Sequence, residues 1–143
     1  MARILIINGP NLNLLGLRQP EIYGFATLES IIESLRSEFP QHTIDHFQSN
    51  HEGALIDAIQ QAGYGSEPYT GIVLNAGGYT HTSVAIADAV AAIAVPVIEV
   101  HLSNIYARET FRHTSFLSPV CRGTISGLGA AVYALAIKAL ESL

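Results

Sequence analysis

The chain is predicted to fold as an α/β domain, doubly wound around a five-stranded parallel sheet of flavodoxin-like order 2-1-3-4-5. Three observations lead there. Short aliphatic runs alternate along the chain with segments of helical period, the pattern of a parallel sheet covered on both faces. Three of those runs end in polar clusters: Ile4-Leu5-Ile6-Ile7 meets Asn8-Gly9-Pro10-Asn11-Leu12-Asn13, Ile72-Val73-Leu74 meets Asn75-Ala76-Gly77-Gly78, and Val97-Ile98-Glu99-Val100 meets His101-Leu102-Ser103-Asn104. Open α/β sheets bind ligands just past the carboxyl ends of their strands, so the clusters read as one site drawn from three segments. The length, 143 residues, suits one domain spanning 1–143 and not two.

The elements follow in order. Ile4–Ile7 is the first strand, and a long polar stretch from Asn11 to Ala26 follows it, holding Gly16, Pro20 and Gly24. Leu28, Ile31, Ile32, Leu35 and Phe39 keep helical spacing, with Thr27 as N-cap and Pro40 as stop. Thr43 to Phe47 is the second strand. Asn50 is placed to cap a helix whose buried face carries Leu55, Ile59 and Ala62 and which ends at Gly63. Gly65 to Gly71 is a turn-rich connector, and Ile72 to Leu74 the third strand. A helix from about Ser83 to Ala94 is broken by Pro96, and the fourth strand covers about Val97 to His101. A second long loop spans Leu102 to Pro119. A short strand near Cys121 to Ile125 leads into a last helix from about Leu128 to Leu140.

Composition narrows the function classes. Hydrophobic residues make up 49%, charged residues 13%, and mean hydropathy is +0.32, a sparse charge cover for a monomer. Together with the Ala- and Val-dense stretch from Val84 to Val97, this points to a homo-oligomer. The net charge of −5 argues against nucleic-acid or anionic-membrane partners, while leaving room for a small anionic substrate held by a few arginines. One cysteine, Cys121, permits no internal disulfide and suits a reducing compartment, and no apolar run reaches transmembrane length, so a cytoplasmic location is expected.

Four groups of residues are able to carry chemistry. Arg18 and Tyr23 lie in the first long loop between Gly16 and Gly24, either on a plain surface loop or on a hinged lid. A cation beside a phenol favours the phenolate, a usable general base. Glu99 and His101 fall on the same side of their strand, where a carboxylate would orient an imidazole for general-acid work; a satisfied strand-end histidine is the other reading. Asn75 to His81 contains paired glycines that admit a ligand close to the backbone, or forms an ordinary strand-to-helix turn ahead of Asp88. Arg108 and Arg112, four apart, make an anion clamp or a solvated surface pair. Gly127-Leu128-Gly129 lacks the third glycine of a dinucleotide fingerprint, no Walker A motif is present, and the histidines and cysteine lack zinc-type spacing. A flavodoxin-like module binding a nucleotide or FMN is the alternative from another class.

Seven segments in order, NGPNLNLLG at 8–16, RQPEIYG at 18–24, SNHEGALID at 49–57, NAGGYTHT at 75–82, EVHLSN at 99–104, RETFRHTS at 108–115 and the glycine-rich start of the last helix, resemble type II 3-dehydroquinase (3-dehydroquinate dehydratase) over essentially the whole chain. Gln19, where Glu is frequent, is the one departure noted, and it lies in the lid. The resemblance implies a hydro-lyase that converts 3-dehydroquinate to 3-dehydroshikimate by anti elimination without cofactor or metal, in the shikimate or quinate pathway. It implies Tyr23 as base, Arg18 and Arg108 as the groups keeping it ionised, Asn11 holding a water against the enolate oxygen, and His101 as acid backed by Glu99. Asn75, His81, Leu102 (through its backbone), Ser103 and Arg112 are implied to bind substrate. Asp88 is implied to reach a neighbouring subunit's site in a dodecamer built of trimers.

Overall fold

A computed structural model describes residues 2–143. Five parallel strands, β1 (Arg3–Asn8), β2 (Thr43–Gln48), β3 (Gly71–Asn75), β4 (Val97–His101) and β5 (Gly123–Ser126), form one sheet of order β2-β1-β3-β4-β5. The predicted order and parallel sense are those observed. Side chains of a strand alternate between faces, so each aliphatic run feeds two cores. Ile4, Ile6, Val73, Ile98 and Val100 pack with α2 (Leu28–Glu38) and α5 (Ala131–Glu141). Leu5, Ile7, Ile72, Leu74 and Val97 pack with α3 (Glu52–Tyr64) and α4 (Val84–Ala91).

The helices begin and end for local reasons. Thr27 caps α2 as expected, its hydroxyl accepting from the Ser30 amide at 3.1 Å. Ser83 caps α4 by accepting from the Ile86 amide at 2.9 Å. Asn50 does not cap α3. His51 holds the cap position without a side-chain bond, and the Asn50 amide oxygen instead accepts from the backbone of Asn11 at 3.0 Å, which ties the two site-forming loops together. The helix also runs past Gly63 to Tyr64. The fourth helix is shorter than its apolar pattern, Val84–Ala91, because Ala92 to Val95 leave it to reach Pro96. The last helix starts at Ala131 and not Leu128, since Gly127 and Gly129 take φ of 88° and 62°, outside helical geometry. β5 likewise begins at Gly123, after a turn through Cys121.

The two long loops are not structureless. The first holds a 3₁₀ turn (Leu12–Leu14) and a one-turn helix, α1 (Pro20–Tyr23); the second holds 3₁₀ turns at Ile105–Ala107 and Thr110–Arg112. At the switch point the ends of β1 and β3 lie side by side, Asn8 in register with Asn75. A Cβ on Gly9 would sit 2.4 Å from the Ala76 carbonyl oxygen, so only glycine lets these two strand ends approach so closely.

Candidate active site

Ten of the twelve predicted site residues converge. A cleft of about 540 Å³, counting its open mouth, is lined by Asn11, Arg18, Tyr23, Asn75, His81, His101, Leu102, Ser103, Arg108 and Arg112, together with Pro10, Gly77, Gly78 and Ile105. It sits beyond the carboxyl ends of β1, β3 and β4, where three polar clusters meet. Of the other two, Glu99 is fully buried behind His101, and Asp88 lies on the exposed face of α4, outside the cleft.

One side of the cleft is formed by the first long loop. Gln19 and Gly24 flank α1 with φ of 40° and 82°, and Pro20 supplies the first helical residue, whose missing N–H costs nothing there. A left-handed Gln is strained by roughly 1–2 kcal/mol. The turn holds Tyr23 half-buried among cations: Arg108 donates from Nη1 to the Tyr23 hydroxyl oxygen at 2.8 Å. The Arg18 and Arg108 guanidinium carbons lie 5.0 and 5.4 Å from the centre of its ring. A guanidinium donating to a phenol oxygen stabilises negative charge on that atom. Arg108 also approaches the Ser103 hydroxyl at 3.4 Å, so one side chain joins lid and floor.

The opposite side is built into the sheet. Glu99 is 0% exposed, and His101 meets it at 2.5 Å through Nε2. Three hydroxyls donate to the same carboxylate: Ser118 at 2.6 Å, Ser115 at 2.8 Å and Thr124 at 3.3 Å. Burial alone would raise the carboxyl pKa. The bonds from His101 and Ser118, the attraction of the His101 charge and the Ser115 hydroxyl outweigh it, and Glu99 is held below the ordinary carboxylate value. The second ring nitrogen of His101 has no protein partner among the described residues and is available to the cleft.

Beside this pair, His81 stacks on His101 with ring centres 6.3 Å apart, and its Nδ1 donates to the Thr114 carbonyl at 2.8 Å. Burial lowers the His81 pKa, the Thr114 bond opposes this, and the nearby His101 and Arg112 deepen it; the net shift is downward. Arg112 is steadied by Glu109, which accepts from its Nε at 2.6 Å.

Sequence reasoning missed four supporting residues. Ser115, Ser118 and Thr124 were not singled out as site residues; the signal was the cost of burying Glu99, which demands more donors than one histidine supplies. Tyr133 lies in an apolar helix, yet its hydroxyl donates to Asn8 at 2.5 Å and accepts from Asn75 at 3.1 Å. A phenol buried at that depth needs such partners, which marks it as more than packing.

Comparison with known proteins agrees. The family model for "Dehydroquinase class II" matches residues 2–141. A 3-dehydroquinate dehydratase of Acaryochloris marina is 57% identical over 139 residues, covering 96% of this chain and 91% of the relative. One from Exiguobacterium is 55% identical over 139 residues, covering 96% and 93%. The crystal structure of type II dehydroquinase from Butyrivibrio crossotus superposes with a TM-score of 0.94 at 45% identity, covering 98% of this chain and 97% of that one. With its fold, its cleft and these likenesses in agreement, the chain belongs to the class II dehydroquinase family and is a hydro-lyase acting on 3-dehydroquinate.

Proposed function

We propose that the cleft carries out the dehydration as an anti elimination through an enolate, with Tyr23 as general base and His101 as general acid. The observation that carries this reading is the meeting, in one cleft, of a phenol oxygen bonded by a guanidinium and an imidazole backed by a buried carboxylate. The phenolate of Tyr23 takes the proton alpha to the ketone, and the electron pair moves onto the carbonyl oxygen. The enolate then collapses: its pair forms the ring double bond, the carbon–oxygen bond to the hydroxyl breaks, and His101 delivers the proton that turns hydroxide into water. Tyr23 ends protonated and His101 neutral, and exchange with solvent resets both.

The other cleft residues take the remaining work. Arg18 and Arg108 hold negative charge on Tyr23, and Asn11 fixes a water against the enolate oxygen. Asn75, His81, the Leu102 backbone, Ser103 and Arg112 bind the substrate hydroxyls and carboxylate, a reading supported by their shared lining of the cleft. Asp88 is read as reaching the site of a neighbouring copy in a dodecamer built of trimers. Its exposure on α4 supports this, as do the large apolar side chains at Val84, Tyr106 and Phe111 that stand exposed in the isolated chain. Among the described residues no helix is long and apolar enough to cross a membrane. We read the protein as a single-domain cytoplasmic enzyme of the shikimate or quinate pathway, supported on location by its lone cysteine.

A flavin module would use the same switch point. Here the cleft is lined by Arg18, Arg108, Arg112, His81, His101 and Tyr23, groups suited to moving protons around a small anion and not to stacking a flat ring.

The test follows absorbance of the conjugated enone formed from 3-dehydroquinate, with a chelator present, and then repeats the reaction with His101→Ala in D₂O. The expected result is that elimination stalls by about 10²–10⁴-fold while deuterium still enters the alpha position. Loss of exchange along with elimination, or normal turnover, overturns the assignment of the acid.

A further inference from the structure

Beneath the cleft floor lies a chain of hydrogen bonds that the reaction itself does not use. Asn75 accepts from the Gly77 amide at 3.2 Å through Oδ1. Its Nδ2 donates to the Tyr133 hydroxyl at 3.1 Å. Tyr133 donates to Asn8 Oδ1 at 2.5 Å, and the Asn8 amide nitrogen lies 3.1 Å from Nε2 of His46. Tyr133 and Asn8 are 0% exposed and Asn75 is 3% exposed, so water does not share these bonds.

The chain has one direction only. A backbone amide donates and never accepts, so Gly77 fixes which end of the Asn75 carboxamide is oxygen. That puts Nδ2 towards Tyr133, whose single proton is then committed to Asn8. The Asn8 nitrogen must in turn find an acceptor, and an unprotonated Nε2 of His46 provides it. His46 suits that role: burial first, then the positive charge of Arg36, lower its pKa, and Glu29 on the same helix only partly opposes them. With one amide hydrogen spent on Tyr133, the second amide hydrogen of Asn75 has no protein acceptor among the described residues, and Asn75 lines the cleft.

We propose that Tyr133 is a positioning residue for substrate recognition: its hydroxyl, anchored through Asn8 to His46, locks the Asn75 carboxamide so that its free N–H is offered to an acceptor oxygen of the substrate. Without the hydroxyl, the Asn75 nitrogen and the Asn8 oxygen lose a partner in a dry interior, and the carboxamide turns to find another. The inference rests on reading the cleft as the substrate site.

The experiment measures kcat and KM for Tyr133→Phe, Asn75→Ala and the double variant. Phenylalanine keeps the ring and its packing. Tyr133→Phe is expected to raise KM about tenfold, the worth of one neutral hydrogen bond, and to leave kcat within about threefold. In the Asn75→Ala background it should add nothing, because its action passes through Asn75. Ile137→Val, one turn along α5 and equally buried, controls for general loosening of the helix and should leave KM unchanged.

The half-buried end of the chain gives a second reading that does not disturb the core. His46→Gln keeps an acceptor for Asn8 and should keep KM, while His46→Leu should raise KM about threefold or more. Unchanged KM in Tyr133→Phe, fold-changes that multiply in the double variant, equal KM in the two His46 variants, or a matching KM rise in Ile137→Val each overturn the proposal. Failure of the substrate reading would look different: Tyr23→Phe and His101→Ala would both turn over normally, whatever the Tyr133 series does.

Discussion

The two walls of the cleft are made in opposite ways. The wall that carries His101 is part of the sheet: Glu99 and His101 end β4, both are buried, and the carboxylate accepts four hydrogen bonds. The wall that carries Tyr23 is a loop: Tyr23 ends a one-turn helix flanked by Gln19 and Gly24 at positive φ, Arg18 lies just ahead of it, and Leu17 and Phe25 are 82% and 80% exposed. An imidazole paired with a buried carboxylate needs a rigid, satisfied surround, because an unpaired group there is costly. A loop with few buried contacts opens more cheaply than a strand end. The two groups proposed to move protons thus stand on supports of opposite build.

The sharpest way to break this contrast is on the lid. Tyr23→Phe is expected to lower kcat by about 10²–10⁴-fold while the melting temperature stays within about 2 °C, since a half-buried loop hydroxyl carries little of the fold. A steady-state assay beside a thermal melt decides it; near-normal turnover removes the tyrosine base, and a large fall in melting temperature removes the contrast.

On the strand side the same kind of change should cost activity and stability together. Glu99 is held below its ordinary value of 4.5, so it contributes stability that is complete above that pH and is lost as pH falls through the lowered folded value. Glu99→Gln should therefore flatten the acid end of a stability-against-pH curve while also reducing kcat by about tenfold or more. An acid limb as steep in Glu99→Gln as in the native chain would show that the carboxylate is not what acid attacks first.

The smallest expected effect lies between the walls. Gly9→Ala forces a methyl against the Ala76 carbonyl and should cost about 1–3 kcal/mol in a denaturant titration. Because it parts β1 from β3 without touching either proton-transfer group, KM should respond more than kcat. The reverse ranking would mean that the spacing of the strand ends sets the chemistry and not the binding.

Most of the fold was legible because the sheet is covered on both faces. The central strands β1 and β3 then read as unbroken aliphatic runs, and Thr27, Pro96 and the asparagine clusters mark where elements change. Boundaries set by competing local bonds were not legible. Asn50 has the chemistry of a helix cap, but the Asn11 backbone claims its side chain. Gly127 and Gly129 delay the last helix through a conformation that a list of residues does not reveal. In the site, residues that face the cleft were readable from their chemistry and their place after strands. Those behind it were not, since Ser118 and Tyr133 acquire a role only from a partner far along the chain, 19 residues away for Ser118 and 125 for Tyr133.

That last separation has a consequence for how the protein comes into being. The bond from Tyr133 to Asn8 ties the final helix to the first strand, so the cleft floor cannot close while the chain is still emerging from the ribosome. A product truncated before residue 131 would contain all five strand segments yet leave the Asn8 and Asn75 side chains without their Tyr133 partner. The network under the cleft is therefore complete only once the last helix has been made.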